Sequence, residues 1–221
     1  MVRDGIYYAL GFTAAGAFLA WLAGPWTALP LFILGAFCAW FFRDPERAVP
    51  AGPVAVSPAD GRVLRVVSEA DGLTRISIFL NIFDVHVNRS PISGMIADIT
   101  YHPGKFLVAS LDAASLQNEM NVITVESRDG TKVVFKQIAG LIARRIVCTK
   151  KVGDVVDAGE RVGMIKFGSR VDIIFGPEWR IEVKPGIHVT AGTTVLARRA
   201  GEIELPLTLV AGIKETALCQ T

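Results

Sequence analysis

Two hydrophobic patterns divide the chain near residue 47. Residues 5–42 contain no Asp, Glu, Lys or Arg, whereas from Val54 onward short β-branched runs alternate with Gly, Pro, Asp and Asn. Long apolar segments predict helices surrounded by lipid or protein, while short interrupted runs predict strands. The sequence therefore predicts an apolar N-terminal anchor over 1–47 and a β-rich domain over 48–221.

The apolar segment is too long for one straight span. About 20 residues cross the hydrocarbon core of a bilayer, whereas the segment has 38 residues with Gly24-Pro25 near its middle. Because proline interrupts a helix, we expect two short helices, roughly 6–23 and 26–42, joined by a tight turn. The segment also exceeds the apolar core of a signal peptide.

Charges and aromatic residues orient this helical hairpin. Arg3, Arg43 and Arg47 lie on one side of it, which the positive-inside bias makes cytoplasmic. Aromatic side chains, which are enriched at membrane interfaces, lie at both ends of the hairpin. They are Trp21 and Trp26 at the turn, and Tyr7, Tyr8, Trp40, Phe41 and Phe42 at the end away from the turn. The prediction is a domain held at the cytoplasmic face of the cell membrane; a re-entrant hairpin remains the alternative to a spanning one.

The rest of the chain predicts a mainly β fold. Short apolar runs separated by turn residues are typical of a sandwich or barrel. The best helical candidate in this part is 109–120. The predicted strands include 62–67, 75–80, 121–127, 131–138, 144–150 and 171–175.

An internal repeat refines the fold. The segments GDVVDAGERVG (153–163) and GIHVTAGTTVL (186–196) share Gly-x-x-Val-x-Ala-Gly-x-x-Val at an offset of 33 residues. Each predicts a strand, a turn containing Ala-Gly and a returning strand. The pattern resembles the barrel-sandwich hybrid domains of biotinyl and lipoyl carriers, and predicts a small sandwich built from two related hairpins.

Composition and charge narrow the function. Hydrophobic residues make up 51% of the chain and the formal net charge is +2. A nucleic-acid partner would call for a broad basic field, which this sequence does not have. The three histidines are far apart in sequence, which argues against a metal site.

Candidate chemistry lies between the two repeats. Gly168-Ser169 is the only Gly-Ser dipeptide, and by itself it predicts no more than a turn. Further motifs combine tight turns with polar residues suited to catalysis, and together they resemble the short, prokaryotic type of phosphatidylserine decarboxylase proenzyme from about Phe41 to Val171. These motifs are FFRDPER (41–47), SPADG (57–61), FLNIFDVHVNRSPISG (79–94) and YHPGKF (101–106).

The resemblance implies a self-cleaving enzyme. Ser169 would attack the carbonyl of Gly168 and split the chain into a β chain (1–168) and an α chain (169–221), which stay together as partners. Ser169 would become a covalent pyruvoyl group, the cofactor that replaces pyridoxal phosphate. The substrate implied is phosphatidylserine in the membrane, and the product is phosphatidylethanolamine.

His86 and Asp60 are the candidate helpers. His86 lies in Asp-Val-His-Val-Asn and is expected to act as base or proton donor, because histidine titrates near neutral pH. Asp60 would orient His86, as in a Ser-His-Asp arrangement. The alternative for Asp60 is a turn-forming residue before Gly61.

Arg89 and His102 are candidates for substrate binding. Longer members of the family have a second histidine where this chain has Arg89, so whether His86 serves both self-cleavage and decarboxylation stays open. Arg89 could bind the lipid phosphate or carboxylate, or form a surface ion pair. His102, before Pro103-Gly104, is expected to shape the pocket.

Other functional classes compete with this interpretation. A membrane-anchored adaptor or carrier would also combine an anchor with a barrel-sandwich domain, but Lys166 lacks the sequence context of a modifiable carrier lysine and no long heptad pattern is present. A metal-dependent lipid hydrolase would require clustered ligands. The sequence leaves the oligomeric state open, with a homo-oligomer possible.

Overall fold

The computed structural model describes residues 2–111, 113–141, 145–166 and 168–199. It contains a pair of N-terminal helices followed by a mainly β region, as predicted. The helices are α1 (Arg3–Ala23), α2 (Pro25–Phe41) and the single-turn α3 (Ala114–Gln117), with a short 3-10 turn at Ala70–Gly72. The strands are β1 (Val54–Val56), β2 (Gly61–Ser68), β3 (Thr74–Leu80), β4 (Val87–Arg89), β5 (Gly94–His102), β6 (Met120–Glu126), β7 (Lys132–Ile138), β8 (Ile146–Cys148), β9 (Val155–Val156), β10 (Arg161–Ile165), β11 (Ser169–Phe175), β12 (Trp179–Ile181), β13 (His188–Val189) and β14 (Val195–Arg199).

The predicted break between the first two helices is confirmed. Gly24 has φ +94°, a conformation open to glycine, and Pro25 occupies the first position of α2, where its missing N–H costs no hydrogen bond. The two helices pack against each other, with Gly16 lying against the ring of Phe32. Among the described residues, α1 is long and apolar enough to cross a membrane, and α2 is shorter.

The strands form a curled eight-stranded sheet and two three-stranded sheets within the described residues. The large sheet has the order β13-β2-β3-β11-β7-β6-β5-β9, and the small ones are β1-β14-β12 and β4-β10-β8. All the strand pairings are antiparallel. The main core consists of inward-facing side chains, among them the fully buried Ile78, Ile123, Phe135 and Ile173.

Two predictions of local structure are corrected. The helix expected over 109–120 reduces to α3, because the Ser115 hydroxyl donates to Asp172 and the Asn118 amide bonds to Leu107 and Ala139. These contacts draw the segment onto the sheet instead of continuing a helix. The strand expected over 144–150 is limited to β8 in the described residues.

The repeated Ala-Gly segments do not form hairpins, which corrects the expected pairing. In the first, β9 pairs with β5 while β10 pairs with β4 and β8. In the second, β13 pairs with β2 while β14 pairs with β1 and β12. Each Ala-Gly turn therefore carries the chain from the large sheet to a small one.

The repeat extends over most of the β region. β1 and β2 recur 33 residues later as β4 and β5, and β8 and β9 recur as β12 and β13. The large sheet is symmetric about its central pair, β11 and β7. Each repeat contains the same backbone hydrogen bond. Gly192 N–H donates to Ser57 O in the first repeat, and Gly159 N–H donates to Ser90 O in the second. The second repeat, β4 to β10, is therefore inserted into the first between β3 and β11.

Candidate active site

The Gly168-Ser169 step lies where the chain returns from the second repeat to the first. β11 begins at Ser169 and runs in the middle of the large sheet, between β3 and β7. Ser169 is in register with Leu80 at the end of β3. The step is therefore at the end of a strand whose position is set by neighbours on both sides.

The backbone at Gly168 depends on two glycines. Gly168 has φ +59°, in the left-handed region that favours glycine. A Cβ atom on Gly140 would clash with the carbonyl oxygen of Gly168. Gly140 therefore leaves the space that this carbonyl occupies.

The hydroxyl of Ser169 is buried without a hydrogen-bond partner in the described part of the chain. The residue has no exposed surface, and its Oγ is one of four such unpartnered side-chain atoms there. Leaving a buried polar group unpaired costs about 1–3 kcal/mol, so such groups are rare and often functional. The hydroxyl is thus free to react next to the Gly168 carbonyl carbon.

His86 contacts the same step from the other side. Its Nε2 accepts a hydrogen bond from the Gly168 N–H at 3.2 Å, and its Nδ1 lies 2.9 Å from the carbonyl oxygen of Asp84. This pairing places the ring proton on Nδ1, because a carbonyl oxygen only accepts. Nε2 is therefore the ring nitrogen able to take a proton, and it lies against the Gly168 N–H.

Burial makes His86 a weak base. The residue has no exposed surface, and this desolvation lowers its pKa from 6.5 to about 4, against an opposing effect of Asp84 and with a smaller lowering by Arg43. The ring is consequently neutral near pH 7.

Asp84 holds the loop that carries His86. Its carboxylate accepts a hydrogen bond from the Asn81 N–H at 2.8 Å and lies 2.9 Å from Nε2 of His188. His188 is in β13, at the start of the second Ala-Gly segment. The sequence offered no signal for the contact between His188 and Asp84.

The structure does not bring Asp60 to His86, so the expected contact is wrong. The Asp60 carboxylate accepts hydrogen bonds from Arg47 Nη2 at 2.8 Å and from the Ala191 N–H at 2.7 Å. Both ring nitrogens of His86 have other partners. Burial raises the pKa of Asp60, and the Ala191 N–H and Arg47 oppose that rise.

Arg89 forms an ion pair with Asp44, and the pair is largely buried rather than at the surface. Its Nη2 donates to Asp44 at 3.0 Å and to the carbonyl of Pro45 at 2.9 Å, and its Nη1 donates to the carbonyl of Gly159 at 3.0 Å. Only 4% of the residue is exposed. Arg89 therefore ties the 41–47 linker to the first Ala-Gly turn, the ion-pair alternative for this residue.

His102 lies apart from this group of residues. It is exposed at the end of β5, in register with Met120 of β6. Its predicted part in shaping a substrate pocket stays a prediction.

A chain of buried amides was missed by the sequence interpretation. Gln137 donates to Asn88 Oδ1 at 2.8 Å and accepts from Asn121 at 3.2 Å. Asn88 follows His86 by two residues, and Gln137 is in register with Val171, two residues after Ser169. The available signal in the sequence was the presence of polar residues at inward positions of apolar strands. In the structure these amides line the interior near the Gly168-Ser169 step.

A second missed cluster holds β11 from the outer face of the sheet. Arg170 donates to Asp172 at 2.6 Å and to the Ser77 hydroxyl at 2.6 Å, and Ser115 donates to Asp172 at 2.7 Å. All four side chains are buried. The cluster fixes α3 to the strand that begins at Ser169.

Comparisons with known proteins agree on one family. The family model for phosphatidylserine decarboxylase matches residues 34–197. A phosphatidylserine decarboxylase proenzyme of Solibacter usitatus is 61% identical over 199 residues, covering 90% of this chain and 97% of the relative. Proteins of the same name from Magnetococcus marinus and Saccharopolyspora erythraea are 46% and 48% identical, over 87% and 76% of this chain and 91% and 75% of their own lengths.

Proposed function

The chain belongs to the phosphatidylserine decarboxylase family, and on that premise we propose that it cuts itself between Gly168 and Ser169 and then decarboxylates phosphatidylserine to phosphatidylethanolamine. Members of this family are carboxy-lyases. The observation that carries the proposed cleavage is the buried, unpartnered hydroxyl of Ser169, next to a glycine whose N–H is bound to His86.

The proposed cleavage uses the chain's own atoms. Ser169 Oγ attacks the Gly168 carbonyl carbon, its proton passes to His86 Nε2, and the peptide C–N bond breaks as the amide nitrogen takes a proton. The resulting ester then loses the Cα proton of Ser169 and breaks its Cβ–O bond, which leaves Gly168 as a carboxylate. Addition of water to the dehydrated residue and loss of ammonia would produce the pyruvoyl end of the α chain.

His86 suits the role of base in this step. A serine hydroxyl is a poor nucleophile until a base takes its proton, and the Nε2 of neutral His86 is directed at the Gly168-Ser169 step. The low pKa keeps this nitrogen unprotonated at neutral pH. Comparing the pH profiles of self-cleavage and of decarboxylation tests whether the same nitrogen also donates the proton in decarboxylation.

The surroundings of Ser169 fit a pyruvoyl group. When formed, this group supplies an electron-withdrawing carbonyl for the loss of carbon dioxide. The chain's contribution is a water-poor interior and polar neighbours: Asn88 Nδ2 is buried and has no partner in the described residues. That amide N–H could donate to an oxygen next to the reacting residue.

Asp60 enters the proposal as an indirect contributor. Its carboxylate fixes Ala191 at the end of β13, the strand whose His188 contacts Asp84, and Asp84 holds His86. We expect Asp60→Asn to slow self-cleavage without abolishing it. His102 remains the proposed pocket residue, and Arg89 contributes through its ion pair with Asp44.

The membrane is the proposed location. The apolar helix α1 is long enough to span the hydrocarbon, and the arginines at 43 and 47 favour a cytoplasmic catalytic domain. The substrate is itself a membrane lipid, so a tether at the bilayer shortens its path to the site.

Ser169→Ala tests the proposed function. The purified wild-type protein is expected to give two chains in denaturing electrophoresis, and the smaller should lack a free amino terminus by intact mass. The variant should stay whole and show no lipid decarboxylation. Ser110→Ala, at an exposed position, is the control and should be cut normally. A wild-type chain that stays whole while decarboxylating the lipid would overturn the proposal.

A further inference from the structure

The C-terminal end of α2 packs directly on the candidate base. The ring centroids of Phe41 and His86 are 4.5 Å apart, with the planes inclined by 38°. Both residues have no exposed surface. An aromatic pair at this distance is in contact, and such pairs contribute about 0.5–1.5 kcal/mol beyond simple burial.

This contact belongs to a larger apolar cluster that joins the helix pair to the β region. Val85 and Val87, the two neighbours of His86, are in it. The buried members are Cys38, Phe41, Phe42, Val85, Val87 and Met164, and partly buried members from the helix pair are Ala9, Phe12 and Phe37. The imidazole is therefore enclosed on one side by residues of the predicted anchor.

Polar contacts hold the helix pair in place around that cluster. Arg43 donates to the carbonyl of Phe83 at 2.6 Å, in the loop before His86. Lys166 donates to Asp4 of α1 at 2.7 Å. Contacts from the start of α1 and from just after the end of α2 thus set the position of Phe41 over the imidazole.

We propose that Phe41 is a positioning residue of the active site, whose ring holds the His86 imidazole against the Gly168 N–H and excludes water from it. This inference rests on the proposed function, in which His86 is the base for self-cleavage. The anchor then serves the reaction directly as well as tethering the domain.

Desolvation has a larger effect on the pKa of His86 than the charges around it. The carbonyl and the charge of Asp84 raise the pKa of His86, and the charge of Arg43 lowers it. Lys166, which follows the β10 residue bonded to the His86 carbonyl, is paired with Asp4. Because burial is the largest effect on the pKa of His86, removal of the Phe41 ring should let that pKa rise toward 6.5.

The test is the rate of self-cleavage as a function of pH. The full chain is synthesised in a cell-free system with liposomes, and the fraction cut is followed by denaturing electrophoresis from about pH 3.5 to about pH 8. For Phe41→Leu we expect the rate at neutral pH to fall about tenfold and the acid limb to move upward toward about pH 6.5. Phe41→Tyr keeps the ring and should retain the wild-type acid limb.

Phe12→Leu is the matched control, because Phe12 packs on the same cluster from α1. It should retain the wild-type acid limb. Should Phe41→Leu fail to fold, Phe41→Met fills a similar volume without a ring and gives the same comparison. The proposal is overturned by an unmoved acid limb in the Leu or Met variant, or by an equal shift in Phe12→Leu. A wild-type chain that is never cut would instead refute the proposed function.

Discussion

At the scale of single residues, the candidate site depends on atoms that are absent as much as on those present. Gly140 has no Cβ where the carbonyl oxygen of Gly168 lies, and Ser169 Oγ has no hydrogen-bond partner in the described chain. Space around the carbonyl and a free hydroxyl are both required for attack. The local cost of leaving them is offset by packing elsewhere.

Gly140→Ala should block self-cleavage. The new methyl group would displace the Gly168 carbonyl oxygen from the space beside Gly140, so we expect at least a tenfold slower reaction. Electrophoresis of the purified variant measures the uncut fraction, and thermal denaturation checks that the chain is folded. Gly11→Ala, in an open helical position, is the control. Normal processing of a folded Gly140→Ala chain would show that the carbonyl position is not critical.

The buried His86 should make stability depend on pH. Above pH 6.5 the ring is neutral in both the folded and unfolded states. As the pH falls toward 4, only the unfolded state gains the proton, since burial lowers the folded pKa to about 4. The free energy of unfolding should therefore fall through this range, by up to about 3 kcal/mol.

Urea unfolding of the uncut Ser169→Ala chain measures this effect. Adding His86→Gln should remove about 2 kcal/mol of the loss between neutral pH and about pH 4.5. His102→Gln changes an exposed histidine and should leave the loss intact. Equal pH dependence with and without His86 would contradict the buried, neutral ring.

At the scale of elements, the two-fold repeat supplies an internal comparison for the reactive step. Gly130-Thr131 lies at the start of β7 much as Gly168-Ser169 lies at the start of β11, and Gly130 also has a positive φ, +84°. The residue that the 33-residue offset relates to His86 is Pro53. One copy of the turn thus has a neighbouring imidazole and the other does not.

Thr131→Ser should leave a single cut. The variant creates a second Gly-Ser step whose glycine is left-handed, with the Asp129 carboxylate nearby but with Pro53 at the position that the repeat relates to His86. Intact-mass analysis should show only the 1–168 and 169–221 chains. A further cut after residue 130 would mean that the turn itself is sufficient and that His86 is dispensable.

Local patterns made several elements predictable. Gly24-Pro25 determined the break between α1 and α2, and β-branched runs located strands such as β3 and β11, because these depend on neighbouring residues in sequence. The partners of Asp60 and Arg89 were not predictable in this way. Arg47 and Asp44 reach them only once the 41–47 linker has folded against the sheets. The contact between His86 and Gly168 joins residues 82 apart in sequence, and resemblance to a family pointed to it where periodicity could not.

At the scale of the whole molecule, the proposed cut breaks the covalent link between residues 1–168 and 169–221, whose strands remain paired in the same sheets. β11 lies between β3 and β7, and β14 lies between β1 and β12. Three strands of the α chain, β11, β13 and β14, are thus paired with strands of the β chain. Hydrogen bonds and buried apolar contacts at all of these pairings outlast the broken peptide bond.

The two chains of the processed protein should therefore travel as one particle. Size-exclusion chromatography in a mild detergent is expected to give one peak that contains both, and they should separate only in denaturant. The Ser169→Ala chain, which stays covalently whole, provides the reference elution volume. Loss of the small chain under native conditions would contradict the central position of β11.

The interleaved order of the two repeats also bears on when the proposed self-cleavage could occur. Ser169 begins β11, a central strand of the large sheet, and the last described strand, β14, pairs with β1 in a small sheet. A nascent polypeptide still lacking these strands on the ribosome has no assembled cleft around the scissile bond. The proposed cleavage would therefore have to wait until these strands have been synthesised, so a growing chain would not cut itself early.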